Sequence, residues 1–356
     1  MKIVGAQPIA RYAEPKERSA RVAIFDSFAA KGEKPEHGDN VEKIVLGTTG
    51  LKDKDVQNFQ NSYERQLSED DIFSAKPESL LEVLEAYTEE TVTGFLGATQ
   101  ANIETILADP KGKIRVINQS QSQCAARVAR PFIDHLEKNE NFRLAAKEAL
   151  GLPLRARTDT VAQTLLEQVQ KKFDESEKID RAEQSYSKVS KKAFDRGIVH
   201  VVTAGNLGRL ATKWEKDGIK APENAYRSVL ANEYATVLGA TDSRGTTTVR
   251  DDRAASFTSI HAGAEFAMHG VNVEVVSSDP KRDEYSNGTS FSAPQATGLI
   301  ADMIKVNPKL GVTEIEGLLR SASVPVKGSP EQVGAGQIDF DRALYLATQT
   351  AFIAKG

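Results

Sequence analysis

Four short, almost wholly apolar runs recur along the chain, and each closes on small or polar residues. They are "VAIF" at 22–25 before Asp26, "KIRVINQS" at 113–120, "GIVHVVTAG" at 197–205 and "YATVLGATD" at 234–242. A strand apolar at successive positions shows apolar groups on both faces, so both faces have to be covered. Helical patterns lie between the runs: "HGDNVEKIVLGTTG" at 37–50, with Val41, Ile44 and Val45 on one face, and the long amphipathic stretch "LLEVLEAYTEETVTGFLGATQANIETILA" at 80–108. Such alternation specifies an α/β fold, a mostly parallel sheet with helices on both faces and its functional site at the carboxyl edge of the strands. Residues 124 to about 195 depart from this rhythm. They are rich in Lys and Glu and patterned for several helices ("FRLAAKEALGL", "VAQTLLEQVQKKFDE", "DRAEQSYSKVSKKAF"), which reads as a charged helical insertion whose charge runs are solvated helix faces.

Bulk properties narrow the function. With 356 residues the chain is long enough for a sizeable core. Forty-six basic against 50 acidic residues give a net charge of −4, so no whole-chain footprint for nucleic acid is present. Cys124 is the sole cysteine, which excludes an internal disulfide and any Cys-based zinc cluster. The opening residues lack an apolar core of signal-peptide length, and no run of about 18 apolar residues occurs. The expectation is a cytoplasmic protein that engages neither membrane nor nucleic acid, with export by a non-classical route left open.

The stretch "YSNGTSFSAPQATGLIADMI" at 285–304 crowds hydroxyls and glycines in front of a helical pattern formed by Ala293, Ala296, Leu299, Ile300, Met303 and Ile304. Capping alone would account for one Ser or Thr. A helix beginning near Ser290 would also place that serine where free N–H groups stabilise an anion, which suits a nucleophile. Three further polar residues stand at strand ends or helix starts: Asp26 after "VAIF", His37 opening "HGDNV", and Asn206 after "VVTAG". A serine nucleophile needs a base, the base needs an acceptor that fixes its tautomer, and the resulting oxyanion needs a donor. One candidate exists for each role.

Those segments resemble the subtilisin-like serine proteases, the subtilase family. "VAIFDS" is similar to the family's aspartate strand, "HGDNV" to its histidine helix, "VINQS" to its substrate strand, "VVTAGNLG" to its oxyanion loop and "NGTSFSAPQATG" to its serine motif. The order Asp, His, Ser also agrees. "VLGATDSRG", "RAASFTS", "GVNVEVVS" and "VGAGQIDFDRAL" extend the likeness across roughly 20–350, interrupted by the insertion. The resemblance implies a subtilisin-like three-layer fold over 20–356, with 1–19 as an N-terminal extension. It implies a serine endopeptidase acting on protein or peptide substrates. Ser290 would be its nucleophile, His37 its base, Asp26 the partner of that base and Asn206 an oxyanion donor. Ser120, Gln121 and Ser122 would pair with an extended substrate, and Ala204 and Gly205 would line the first specificity pocket.

Departures from the family pattern are specific. Phe28 stands where a glycine is usual, and Asp39 and Asn40 replace the usual Thr and second His. The loop between Asp26 and His37 is short, and the substrate strand lacks glycines after Gln121. Only about twenty residues precede the first strand, too few for the family's long pro-segment, so the expectation is either a chain that folds without one or a mature form, with residues 1–19 as a small inhibitory arm. The insertion, which leaves directly after the substrate strand, is expected to form either a lid or exosite or a solvent-facing decoration. His135, His200, His261 and His269 have no His-Glu-x-x-His spacing, and "VGAGQID" is not a dinucleotide fingerprint. No cofactor is required on this reading, and structural calcium is left unassigned. The oligomeric state is not readable. The alternative function is a catalytically silent module that keeps the scaffold and binds peptide or protein.

Overall fold

The computed structural model describes residues 21–30, 33–110, 112–246, 248–279 and 281–353. The arm expected at 1–19 lies outside the described residues. Eleven strands are formed among them: β1 Arg21–Asp26, β2 Val56–Gln60, β3 Ile114–Gln119, β4 Val199–Thr203, β5 Ala235–Asp242, β6 Arg253–Ala254, β7 Phe266–His269, β8 Val273–Val275, β9 Glu284–Ser286, β10 Ser323–Val324 and β11 Gln337–Ile338. The helices are α1 His37–Gly47, α2 Glu69–Phe73, α3 Pro77–Ala108, α4 Ala125–Lys138, α5 Glu140–Ala149, α6 Thr158–Glu175, α7 Glu177–Asp195, α8 Gly208–Lys216, α9 Ser292–Val306, α10 Val312–Ala322, α11 Pro330–Val333 and α12 Phe340–Ile353.

The main sheet runs β2-β1-β3-β4-β5-β7-β11-β10. It is parallel except where β10 meets β11 and where β6 pairs with β5. The chain steps from β1 outward to β2 and then returns to β3 on the other flank of β1, so the strand order reverses at β1/β3. An open parallel sheet has its crevice at such a reversal; Asp26 ends β1 there and Ser120 directly follows β3.

Alternation along each strand divides the core. Val22, Ile24, Val116, Val199 and Val201 face the cluster under α1, α9, α10 and α12. Ala23, Phe25, Ile117 and Val202 face the cluster under α3 and α7. A third core, around Phe132, Leu166 and Trp214, joins α2, the start of α3, α4 to α6 and α8. The segment 124–195 therefore has two roles. α4 to α6 build that third core, whereas α7 buries Ile179, Tyr186, Val189 and Ala193 against the sheet and leads straight into β4. It is the crossover helix between β3 and β4, and so belongs to the sheet unit rather than to an added decoration.

Two elements that carry site residues meet at Gly298. A Cβ on Gly298 would lie 2.3 Å from Thr49 Cγ2 and 2.7 Å from Thr48 Oγ1, the turn that ends α1. Only a hydrogen lets α9 and α1 approach this closely. Gly298→Ala gains about 1 kcal/mol of helix propensity and loses about 1–3 kcal/mol to overpacking. We expect a net loss of about 1 kcal/mol, read as a lower urea midpoint at unchanged slope; an unchanged or higher midpoint would contradict this crossing.

Burial raises the Glu265 carboxyl to about 7, helped by the neighbouring charge of Glu316 and opposed by the Val237 N–H and Arg320. The folded state therefore holds a proton between about pH 4.5 and 7 that the unfolded chain has released. Stability contributed by this site falls as pH rises through that window. Glu265→Gln should flatten the decline and stabilise the protein at pH 8 by on the order of 1 kcal/mol, measured as urea midpoint against pH.

Candidate active site

Asp26 closes β1 with its side chain 1% exposed. Its Oδ1 accepts from the Ser27 N–H at 2.9 Å, and both carboxylate oxygens lie 2.9 Å from His37 Nδ1. An ionised carboxylate only accepts, which assigns the proton to Nδ1 and leaves the Nε2 lone pair free. The imidazole is 38% exposed, so its outer edge reaches the crevice.

His37 is the first residue of α1, and the departures from the family pattern hold it there. The Asp39 carboxylate accepts from the Glu36 N–H at 2.7 Å and the Ala29 N–H at 3.3 Å, tying both ends of the short loop together. Asn40 Oδ1 accepts from the Val276 N–H at 2.7 Å and pins α1 to the segment after β8. A Cβ on Gly38 would lie 2.5 Å from Ser27 O and 2.7 Å from the Phe28 ring. Phe28 thus fills the space over a residue that has no side chain.

In the serine segment the hydroxyls of Thr289 and Ser292 are each tied to a different element. Ser290 sits in a 3₁₀ turn, Thr289–Phe291, and α9 begins only at Ser292. The expected helix start near Ser290 is displaced by two residues because the tighter turn comes first. Ser292 Oγ donates to Met268 O at 3.1 Å, holding α9 under β7. Thr289 donates through both N–H and Oγ1 to Asn206 Oδ1, each at 2.9 Å. With its oxygen so occupied, Asn206 turns Nδ2 toward Ser290. A Cβ on Gly288 would lie 3.3 Å from Asn206 Nδ2, 3.5 Å from Ser290 Oγ and 3.6 Å from Ser290 N. Two donors and the hydroxyl therefore converge on one small space that Gly288 leaves empty.

His37 reaches the same turn, its ring centroid 6.1 Å from that of Phe291, the residue after Ser290. Among the described residues no hydrogen bond joins His37 Nε2 to Ser290 Oγ; such contacts commonly tighten only with substrate. Asp26, His37, Asn206 and Ser290 are thus gathered at one crevice from four separate parts of the chain.

The expected substrate residues divide. Ser120 turns its side chain inward, where Oγ accepts from Asn118 Nδ2 and donates to Ser290 O, each at 3.0 Å. Its hydroxyl thus ties β3 to the Ser290 turn, and the expected pairing of this segment with an extended chain does not call on it. Gln121 Oε1 is taken by Asn61 Nδ2 at 2.7 Å. Gly205 adopts φ +89°, and a Cβ there would lie 3.0 Å from Ser259 Oγ and 3.1 Å from Ser122 Oγ. Ala204 is buried behind it. Asn118, Thr297 and Thr289 were not singled out from sequence, although a buried Asn within the apolar run "RVIN" was the available signal. His200 is enclosed in β4, where burial depresses its pKa to about 3, and it takes no part in the site. No cluster of three or more His, Cys, Asp or Glu side chains occurs among the described residues, so none is assigned to calcium. No helix among them is long and apolar enough to cross a membrane.

Gly288→Ala would put a methyl between the two donors while keeping an extended backbone that any residue adopts. We expect unchanged thermal stability and a loss of about 10²–10³ in kcat. Equal rates for the variant and the parent would show that this space is not where charge develops.

The Subtilase family model matches residues 84–336, which include Asn206 and Ser290 and leave Asp26 and His37 to be supplied by the fold. No curated protein gives a significant match. The solved structure of the subtilase cytotoxin SubAB assembly aligns with a TM-score of 0.52 at 13% identity, covering 96% of this chain and 93% of that one, a likeness of fold. The prenylagaramide maturation protease PagA gives 0.49 at 12% identity, covering 94% of this chain and 95% of that one. The epidermin leader peptide processing serine protease EpiP of Staphylococcus aureus gives 0.49 at 14% identity, with 94% and 77% covered. The family match spans well over half of the chain and its motifs meet at a single crevice, so the chain belongs to the subtilase family.

Proposed function

We propose that the protein is a serine endopeptidase that hydrolyses peptide bonds through an acyl-enzyme. The observation that supports this best is the convergence of Asn206 Nδ2, Ser290 N and Ser290 Oγ on the space at Gly288, beside a closed Asp26–His37 pair. His37 Nε2 takes the Ser290 proton as Oγ attacks the scissile carbonyl. Asp26 accepts from Nδ1–H throughout and stabilises the imidazolium so formed. The tetrahedral oxyanion is held by Asn206 Nδ2 and the Ser290 N–H. His37 then passes its proton to the leaving amine, and a water deprotonated by the same nitrogen releases the acyl group. Cys124 is no rival nucleophile, since burial pushes its thiol up to about 11.

Intact mass after exposure to a fluorophosphonate tests the reading. Attack by Ser290 forms the Oγ–P bond and expels fluoride, so one adduct is expected on the parent protein and none on Ser290→Ala. Folded protein that takes up no reagent and cleaves no peptide would instead support the silent binding module.

A further inference from the structure

A cleft of about 720 Å³ opens from Asn206 and Leu207 past Gln123 to Tyr63 and Tyr87. It lies beside the oxyanion donor, and Gln123 continues the segment on which the substrate's acyl side would be laid. The cleft is lined by more cations than anions: Arg65, Arg127 and Arg130 against Glu69 and Asp134. Arg130 is engaged by Asp134, Nε to Oδ2 at 3.5 Å. Glu69 accepts from the Tyr87 hydroxyl at 3.5 Å. Arg65 lies over the Tyr87 ring at 5.0 Å and donates from Nη1 to its hydroxyl at 2.5 Å. Neither Arg65 nor Arg127 forms an ion pair among the described residues. Both guanidinium charges act on the Tyr63 hydroxyl, against the burial that raises its pKa. Tyr63 in turn is seated in the gap left by Gly94 on α3.

Stability gives no reason for this arrangement. Arg127 is in the first turn of α4, at the positive end of the helix dipole, where a cation is disfavoured and an acid would be favoured. Its helix neighbours at i+3 and i+4 are Arg130 and Pro131, so it gains no intrahelical ion pair. Arg127 is exposed on the cleft and has no ion-pair partner among the described residues, so its guanidinium is available to a ligand. Guanidinium groups bind carboxylates through paired N–H donors.

We propose that Arg127 and Arg65 form a subsite for an acidic side chain, Asp or Glu, on the acyl side of the scissile bond. This inference rests on the peptidase reading and gives it a substrate class. It also gives α4, the first helix after the substrate strand, a role in selection.

Cleavage of a mixed peptide library by the full chain, followed by mass spectrometry, tests it. The parent protein should favour Asp or Glu at one acyl-side position over Gln or Ala by at least about tenfold in kcat/KM, equivalent to about 1.4 kcal/mol, and should lose part of that preference in high salt. Arg127→Ala should cut the preference about tenfold, and Arg127→Glu should move it toward Lys and Arg. Arg127 is exposed, so neither change removes a core contact. Cleavage with no acidic preference, or with a preference that both variants retain, overturns the subsite and leaves the peptidase standing. No cleavage of any peptide by folded protein overturns both.

Discussion

A buried line of hydrogen bonds ties the Ser290 turn to β3. Thr297 Oγ1 donates to Asn118 Oδ1, Asn118 Nδ2 to Ser120 Oγ, and Ser120 Oγ to Ser290 O, each at 3.0 Å. Asn118 and Thr297 are fully buried and Ser120 nearly so. A polar group at such depth is costly unless paired, and here each link satisfies the next. The line fixes the register between α9 and β3 in a way that apolar packing alone, tolerant of small slides, does not. Because Ser290 O is its terminus, the position of Ser290 is set by the same bonds that seat the helix.

The Asp26–His37 side is assembled by different physics. β1 delivers Asp26 by strand pairing on both flanks, and α1 delivers His37 by a close helix crossing at Gly298. Between them runs a loop that Asp39 closes from its far end. Residues that depart from the family pattern thus have local duties. Phe28 occupies space over Gly38, and Asn40 joins α1 to the chain that leads toward β9. Altered rims and an intact dyad are compatible because the rim residues bind backbone groups, whereas the dyad is made by side chains.

Much of this was legible in the sequence wherever burial is local. Apolar runs marked β1, β3, β4 and β5, and periodicity marked α1, α3 and the helices of 124–195, because each must hide its own residues. β2 was not legible: "VQNFQ" is an edge strand with one paired flank and an exposed, polar pattern. β7 and β11 are too short to show a period. Asp26, His37, Asn206 and Ser290 could be named from their motifs. The inward turn of Ser120, the service of Thr289 to Asn206, and the meeting of Arg65 with Arg127 depend on segments far apart in the chain. No single stretch encodes them.

The core that α4 to α6 build is distinct from the two that cover the sheet. Its hydrophobic contacts close on themselves around Phe132, Leu166 and Trp214, so charges on the cleft wall can differ without repacking the sheet. Its attachment to the body of the sheet is ionic as well as apolar. Glu89 on α3 meets Lys172 on α6 and Lys178 on α7 at 2.8 Å each, and accepts from Ser176 Oγ between them at 2.6 Å. Burial would raise the Glu89 carboxyl, but the hydrogen bonds from Lys172, Lys178 and Ser176 prevail and hold it at about 2. One carboxylate that stays ionised across the working range of pH thus binds three chain positions to the long helix beside the sheet. The same pairs hold α6 and α7 to α3, and with them the core on which α4, the wall of the cleft, is packed.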